Sequence, residues 1–500
     1  MRRATSVKRN VPVIQASKWI ALLCLAASAF AGQPADEWAV LAAQAAQAHD
    51  RGAYAESEHL YSSALALAEK FGPQDDRLAS TLVNLGTAYR MQGRRHDAEK
   101  LYLRAIAIWH ETSGPAPTEM AATLNNLAGI YRVDARYAEA ESLYREALNL
   151  HEKELGVESA GVALVEGNLG ALYQDQGKFA VARQYYERAL GIQERVLGPD
   201  HPDVAATLTH LGDLLRRQWR LQDAEPLYQR AIAIREKALG PDHPQVADSL
   251  NALALLYKTQ ERYTVAEPLY RRSLQILEKS MGPAHPRVAV ALNNLGQLAA
   301  AQGKYPEAKQ LSERAIAIWE KSLGPDDPDL AAGLSNFAAI YAAQHKYGKA
   351  DELYRRALRI DTAHFGGAHL RIAQDLNNLA ALCHVRRQDG QAEEFLQRSI
   401  AVYERVLGPE TPSLADPLLN LAEVYVAEKR YSEAVDLYRR AVPLRERTLG
   451  ADHPKLAEPL ENYALALRNI EDYAEAEKVE VRATRIRVRM ALRADASGGQ

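Results

Sequence analysis

The stretch His201–Gly240 reads HPDVAATLTHLGDLLRRQWRLQDAEPLYQRAIAIREKALG and carries two amphipathic patterns separated by a short turn. Leu208, Leu211 and Leu215 recur at the spacing of one helical face, which predicts a first helix over about residues 204–218. A second helix is predicted over about residues 222–239, because Gly240 followed by proline is a typical helix end. The stretch therefore predicts one pair of antiparallel helices.

The same unit recurs along the chain at a period of 42 residues. A fixed period between about 20 and 50 residues is typical of a solenoid, in which repeats bury their apolar faces only by stacking on their neighbours. A further helix pair over residues 36–71 brings the prediction to an all-α solenoid of about eleven antiparallel helix pairs. The glycine that closes the unit marks ten copies without a gap: Gly72, Gly114, Gly156, Gly198, Gly240, Gly282, Gly324, Gly366, Gly408 and Gly450.

Two positions predict close approach of the two helices within a pair. The position of Gly212 holds only glycine or alanine in the ten copies, and the position of Ala224 is alanine in every copy. A larger side chain at either position is expected to overpack the crossing.

Runs such as HPRVAVALNNLGQLAAAQGKYPEAKQLSERAIAIWEKSLGPDDP (His285–Pro328) resemble the tetratricopeptide repeat in its 42-residue form, as in kinesin light chain and its bacterial relatives. The resemblance extends over essentially the whole chain after its N-terminal segment. It implies a right-handed superhelix with a concave groove lined by the first helices, and a role in holding peptides or protein partners. The heptad region of kinesin light chain is absent, so the resemblance does not carry over the identity of a cargo.

An asparagine recurs in the middle of the first helices, on a polar stripe that faces away from the core. Asparagine is a poor residue for a helix interior, so its repetition needs a cause. In the family that the chain resembles this position lines the groove, where an amide both donates to and accepts from a peptide backbone. The alternative is a hydrogen bond to the adjacent repeat, or inheritance by duplication. The predicted peptide-binding asparagines are Asn84, Asn126, Asn168, Asn294, Asn336, Asn378, Asn420 and Asn462.

Six residues after the asparagine, the N-terminal half of the chain carries basic residues and the C-terminal half is mostly apolar. Arg90, Arg132, Arg216 and Lys258 are the basic members of this position that we assign to the peptide-binding surface. Charge-assisted hydrogen bonds from them would select an acidic peptide. A solvated helix face is the alternative.

The N-terminal segment is typical of a secretory signal. Basic residues precede an apolar run from Trp19 to Phe30, and small residues follow, which predicts a signal peptide over residues 1–31, a solenoid over 32–491 and a disordered tail over 492–500. The chain is then exported, and the bacterial periplasm is the expected compartment. An uncleaved N-terminal anchor is the alternative. Removal of the five basic residues Arg2, Arg3, Lys8, Arg9 and Lys18 takes the formal charge from −3 to −8, which argues against nucleic acid as a partner.

Other features are assigned to the repeat architecture. The loop histidines precede helix starts, Trp219 is expected to fold over its own pair, and the arginine-rich last helix is expected to end the stack, with contact to anionic lipid as its alternative. No phosphate-binding loop, zinc-protease motif or nucleophile elbow occurs. We therefore predict a non-enzymatic interaction scaffold without metal or cofactor, of unknown oligomeric state. A cell-envelope assembly factor that acts through its convex surface, its ends or self-association is the alternative.

Overall fold

The computed structural model describes residues 34–50, 53–112 and 117–497, and within these ranges every regular element is helical. The signal peptide predicted over residues 1–31 lies outside the described residues. The helices follow one another in pairs, which we number 1 to 11 in chain order. Their bounds are α1 Pro34–Asp50, α2 Tyr54–Ala68, α3 Asp76–Met91, α4 Arg95–Glu111, α5 Pro117–Val133, α6 Tyr137–Leu155, α7 Ala160–Asp175, α8 Phe179–Val196, α9 Pro202–Arg217, α10 Leu221–Leu239, α11 Pro244–Thr259, α12 Tyr263–Met281, α13 Pro286–Ala301, α14 Tyr305–Ser322, α15 Pro328–Ala343, α16 Tyr347–Phe365, α17 Leu370–Val385, α18 Asp389–Leu407, α19 Ala415–Ala427, α20 Tyr431–Leu449, α21 Ala457–Asn469 and α22 Tyr473–Ser497.

This arrangement confirms the predicted all-α solenoid. For the quoted stretch, the helix bounds lie within two residues of the predicted ones. The last helix runs to Ser497 and so reaches into the segment predicted as a tail. Single 3₁₀ turns at Glu69–Phe71, Pro412–Leu414 and Pro454–Leu456 adjoin the helices.

Contacts divide the chain into two units. The smaller unit consists of two segments, the chain up to Ile130 and Ser142–Glu154. The larger unit consists of Tyr131–Glu141 and the chain from Leu155 onwards. In the larger unit each helix packs on its pair partner and on the next helix of the chain, as α9 packs on α10 and α10 on α11. The first helices of neighbouring pairs also contact each other, for example α9 with α11 and α13 with α15. The first helices therefore form the inner layer of this unit.

The loop histidines cap the first helices, which confirms their prediction as residues before helix starts. Nδ1 of His243 accepts a hydrogen bond from the backbone N–H of Gln245, and proline follows the histidine at the first helical position. A side-chain acceptor at this place satisfies one of the amides that have no partner within the helix. His201, His285, His369 and His453 cap in the same way, as do Asp327 and Thr411.

The small residue at the helix crossing is required by a tyrosine as well as by the facing alanine. A Cβ atom added to Gly212 would lie 2.8 Å from the Tyr228 ring. A Cβ on Gly86 would lie 2.9 Å from the Tyr102 ring and 3.4 Å from the carbonyl oxygen of Ala98, the alanine of that copy. The crossing predicted from sequence is therefore present, and a ring from the second helix occupies most of its space.

Candidate functional site

The candidate site is the exposed face of the first helices of the larger unit, which we call the concave surface because these helices form its inner layer. Six of the predicted asparagines lie on this face, and Asn84 and Asn126 lie on the corresponding face of the first helices in the smaller unit. Asn84 is exposed, and the other seven are partly exposed. Their side-chain amides are therefore accessible to a ligand from the side that faces away from the core.

Three of the asparagines also join neighbouring repeats. Nδ2 of Asn294 donates to Oδ1 of Asn251 at 3.2 Å, and Nδ2 of Asn420 donates to Oδ1 of Asn377 at 2.9 Å. Asn336 donates in the same way to the preceding first helix, to Oδ1 of Asn293 at 3.4 Å. The residue that accepts stands 43 positions earlier and is asparagine in each case. At these positions the alternative function, a hydrogen bond between repeats, is present in the structure.

An asparagine can form this hydrogen bond between repeats only where the residue 43 positions earlier is also an asparagine. The residue 43 positions before Asn126 is Val83, before Asn378 it is Ser335, and before Asn462 it is Leu419, so no amide is available there. Asn378 instead accepts a hydrogen bond at 3.0 Å from Gln374 of its own helix. The asparagines thus fall into a group that bridges repeats and a group whose amide is not held by the preceding repeat.

The basic residues of the N-terminal half have internal partners. Arg132 forms an ion pair with Asp175 of the next first helix, and Arg216 lies 3.5 Å from Asp213 of its own helix. Nζ of Lys258 donates to Oε1 of Gln297 at 2.9 Å, and burial lowers the pKa of this lysine to about 8. Arg90 is exposed and interacts with Tyr102 of α4. An acidic ligand would have to compete with these existing contacts.

The C-terminal part of the concave surface contains an open concavity of about 440 Å³, formed by pairs 9, 10 and 11. Its lining carries charges of both signs. Asp416 and Arg445 form an ion pair at 2.6 Å, and Arg487 binds Glu461 through two hydrogen bonds of 2.8 and 2.9 Å. The remaining polar groups in the lining are Asn377, Asn420, Glu423, Lys455 and Glu458.

Two carboxylates in this concavity make no hydrogen bond or ion pair with the part of the chain that the structure describes. They are Glu423, which is partly exposed, and Glu458, which is exposed. Burial raises the pKa of Glu423, and the nearby Glu458 raises it further, while His384 and Arg445 act in the opposite direction. An incoming cation would relieve both the desolvation and the mutual repulsion of these carboxylates.

These two glutamates were not among the predicted site residues, although their signal was present in the sequence. Glu458 occupies the helical phase of Ser80, and Glu423 occupies that of Thr87, so both belong to the polar stripe that carries the asparagines. The asparagine position and the position six residues later do not include them. Those two positions alone predict an apolar C-terminal half, whereas the concavity there is lined by charged groups.

The arginines of the last helix are paired within the array. Arg482 binds Glu446 at 2.6 Å, which continues a series of ion pairs between successive second helices such as Arg440 with Glu404. Arg489 pairs with Asp452 of the preceding loop. These contacts use the arginines to join the terminal repeat to the stack.

Two other kinds of site are missing from the described residues. In these ranges, no group of three or more histidine, cysteine or acidic side chains is placed to hold a metal ion. No helix among the same residues is both long and apolar enough to cross a membrane.

An all-α solenoid of helix pairs with a polar inner face is typical of helical-repeat proteins that bind other proteins. The model of the tetratricopeptide repeat family matches seven segments, so this chain belongs to the tetratricopeptide repeat family. The repeat indicates a protein–protein interaction scaffold. The matched residues are 39–110, 119–195, 161–237, 203–279, 287–363, 371–447 and 413–487.

Solved structures of the same kind are similar to parts of the chain. BtubC (BKLC) from P. vanneervenii is 22% identical, and the match covers 46% of this chain and 92% of that one with a TM-score of 0.41. A Podosopora anserina kinesin light chain with nearly identical TPR-like repeats is 24% identical over 41% of this chain and 97% of its own, with a TM-score of 0.34. A single-residue variant of that protein has the same identity and coverage and a TM-score of 0.35. A comparison with curated proteins finds no match.

Proposed function

We propose that this chain is a non-enzymatic adaptor that binds a segment of a partner protein on its concave surface, with the concavity of pairs 9 to 11 as the main contact. The observation that carries the proposal is the pair Glu423 and Glu458, whose carboxylates are unpaired in an open concavity beside the amide of Asn420. Carboxylates and amides together can bind a cationic side chain and the backbone next to it. The favoured ligand is therefore an extended segment that carries lysine or arginine.

A basic ligand differs from the acidic peptide that we predicted from Arg90, Arg132, Arg216 and Lys258. Arg132 and Lys258 already have partners in the next repeat, so their charge and hydrogen-bonding capacity are partly used. Removal of such a partner leaves a partly buried polar group without a bond, which costs free energy. The unpaired carboxylates carry no such cost, and the C-terminal concavity is the more favourable site.

The test is selection from a phage-displayed library of random peptides, followed by calorimetric titration of the selected sequences. We expect enrichment of lysine and arginine, and loss of binding in the double variant Glu423→Gln and Glu458→Gln. The matched control is Glu394→Gln on the second helix of pair 9, where the side chain is 68% exposed. Selection of acidic peptides, or equal binding by the double variant, would refute the proposed ligand. Binding that is lost only after changes on second helices would favour the assembly factor that acts through its convex surface.

We also propose that the chain is exported, on the strength of the N-terminal segment described above. Mass spectrometry of the mature N-terminus after fractionation of the host cells tests this. An N-terminus near residue 32 in the envelope fraction is expected. An intact N-terminus in the membrane fraction would indicate the uncleaved anchor instead.

A further inference from the structure

Three contacts in the larger unit join segments that are about 235 residues apart in the chain. Each one brings the turn inside one helix pair against the start of the pair that follows six positions later. The turn of pair 3 meets the start of pair 9, the turn of pair 4 meets the start of pair 10, and the turn of pair 5 meets the start of pair 11. A contact that repeats in the same register along the chain belongs to the architecture and not to one local irregularity.

The first contact is a hydrogen bond from His369 to Val133. Nδ1 of His369 accepts from the backbone N–H of Arg371, so in the neutral imidazole Nε2 carries the proton. Nε2 then donates to the carbonyl oxygen of Val133 at 2.8 Å. This residue therefore caps its own helix with one nitrogen and binds a segment 236 positions away with the other.

The second contact is a close approach of backbone to proline. A Cβ atom placed on Gly177 would lie 3.2 Å from Cδ of Pro412 and 3.7 Å from Oγ1 of Thr411. Gly177 occupies a left-handed conformation with φ +73°. Gly303, which stands at the same position three pairs later, would have no atom within 4 Å of an added Cβ.

The third contact places Trp219 against the start of pair 11. Its ring lies edge to face with the His453 ring at 4.8 Å between centroids, and Nζ of Lys455 lies 4.3 Å above the indole. Trp219 adopts φ +61°, a conformation that costs free energy for a residue other than glycine. The sequence predicts that this side chain folds over its own pair, whereas the contacts that the structure records reach a pair six positions away.

The burial of the capping residues supports this pattern independently. His369, Thr411 and His453 cap pairs 9, 10 and 11 and are 6%, 4% and 7% exposed. His201 and His243 cap pairs 5 and 6 with the same geometry and are only partly buried. Capping alone therefore does not bury this position. The additional burial occurs where an earlier turn of the chain lies against it, and it contributes to lowering the pKa of His453 to about 4.

We infer that the larger unit is a coil whose successive turns touch along one seam, and that this seam is a clasp that closes the concave surface. One turn takes six helix pairs, and the width of the coiled ribbon is the length of a first helix, about 24 Å for 16 residues. Edges that touch at this spacing leave no lateral opening, within the larger unit, between pairs 9 to 11 and the edge formed by the turn of pair 3 with pairs 4 and 5. The seam consists of Val133, Gly177, Trp219, His369, Thr411, Pro412, His453 and Lys455.

The seam adjoins the concavity described above. Pro454 and Lys455 line that concavity, and Lys455 also contacts Trp219. A lysine or arginine bound to Glu423 and Glu458 would lie near the Lys455 ammonium in the same lining, and repulsion between like charges would couple occupancy of the concavity to the contact of Lys455 with Trp219. The coupling between ligand binding and the seam rests on the proposed function, whereas the seam itself does not. A closed seam admits an extended segment through an end of the coil, and a folded partner only after the seam opens.

Disulfide trapping tests the seam without any ligand. In a chain with Cys24 and Cys383 replaced by alanine, the pair Gly177→Cys and Thr411→Cys is expected to form an intramolecular disulfide under mild oxidation. The matched control is Gly303→Cys with Thr411→Cys, which has the same left-handed turn position but no seam contact and is expected to form none. Peptide mapping of the oxidised monomer identifies the bond. Equal trapping in both pairs, or none in the first, would overturn the seam.

A second measurement asks whether Trp219 holds the clasp. Trp219→Gly places at this turn the residue that adopts positive φ without a steric penalty, so the helix pair itself is not expected to unfold. The matched control Lys429→Gly has the same turn position, with φ +62°, and Lys429 makes no aromatic or cation–π contact with a later pair in the part of the chain that the structure describes. We expect small-angle scattering to show a larger radius of gyration for Trp219→Gly alone, with unchanged helix content in both. An unchanged radius in Trp219→Gly would refute the role of this tryptophan as the clasp.

Neither measurement uses a ligand, so the seam and the peptide site are tested separately. If the peptide selection fails, the inferred seam is unaffected. If the disulfide does not form, the proposed peptide site is unaffected.

Discussion

The substitution Asp375→Asn is expected to stabilise the joint between pairs 8 and 9 at neutral and alkaline pH. Asp375 of α17 and Asp361 of α16 are 4% and 2% exposed and face each other across this joint. Ser335 donates to Oδ1 of Asp375 at 2.9 Å, and Arg371 donates to Oδ2 of Asp361 at 3.0 Å. Each carboxyl has a second buried oxygen without a hydrogen-bond partner. Two buried carboxyls and one arginine are best accommodated when the carboxyls share one proton.

The sign and size of the effect follow from the pKa of Asp375. Burial and the neighbouring Asp361 raise this pKa from 3.8 to about 7. The folded state holds the Asp375 proton more tightly than the unfolded state does. The stability that this proton contributes is therefore fully present below about pH 4 and is lost progressively as the pH rises through about 7. The loss is at most about 4 kcal/mol, since each pKa unit corresponds to about 1.4 kcal/mol. Asparagine keeps an oxygen for Ser335 and a donor for Asp361, so the variant avoids this loss.

Hydrogen exchange measured by mass spectrometry on peptides of α16 and α17 is the appropriate assay, because repeat arrays unfold locally. Between about pH 5 and 8, after correction for intrinsic exchange, protection is expected to fall in the wild-type chain and to remain level in Asp375→Asn. The control Asp436→Asn changes a carboxylate that is 77% exposed and is expected to follow the wild type. Parallel pH profiles for wild type and Asp375→Asn would refute the shared proton.

Four further substitutions test the packing, the hydrogen bonds between repeats and a helix cap. Gly333→Ala would place a Cβ atom in steric overlap with Cζ3 of Trp319, and a loss of about 1–3 kcal/mol is expected in urea unfolding followed by tryptophan fluorescence; wild-type stability would mean that the indole moves freely. Asn294→Ala removes a hydrogen bond to the preceding repeat and is expected to cost about 1 kcal/mol, whereas Asn84→Ala at an exposed position should cost little; equal costs would contradict the division of the asparagines into two groups. His285→Ala removes a helix cap and is expected to cost about 1 kcal/mol, seen as faster exchange in the first turn of α13; unchanged exchange there would show that the cap contributes nothing.

Much of the fold could be read from the periodic positions. Gly240, the paired Gly212 and Ala224, and the histidine before each first helix act through local backbone geometry and through contacts between adjacent helices. Such contacts join residues that are close in sequence, so each copy of the unit carries the information for its own structure. The same reasoning placed the asparagines on an accessible face.

The candidate site was predictable only in part. The polar stripe that carries Asn420 was recognised from the sequence. The hydrogen bond of Asn420 to Asn377 was not, because Asn377 belongs to the preceding copy and occupies a different position of the 42-residue unit. Glu423 and Glu458 also belong to different copies and occupy different positions of the unit. Only the packing of neighbouring first helices brings them into one concavity.

By itself, the sequence determined the repeat unit, the number of pairs and the face that each helix exposes, because these depend on spacings within 42 residues. Only the tertiary structure decided which turns of the coil meet. The contact of Trp219 with His453 depends on the small rotation between successive pairs, added over six of them. A slight difference in the rotation at each joint would move the turns of the coil apart. The total rotation depends on all six pairs together, so no short stretch of sequence determines it.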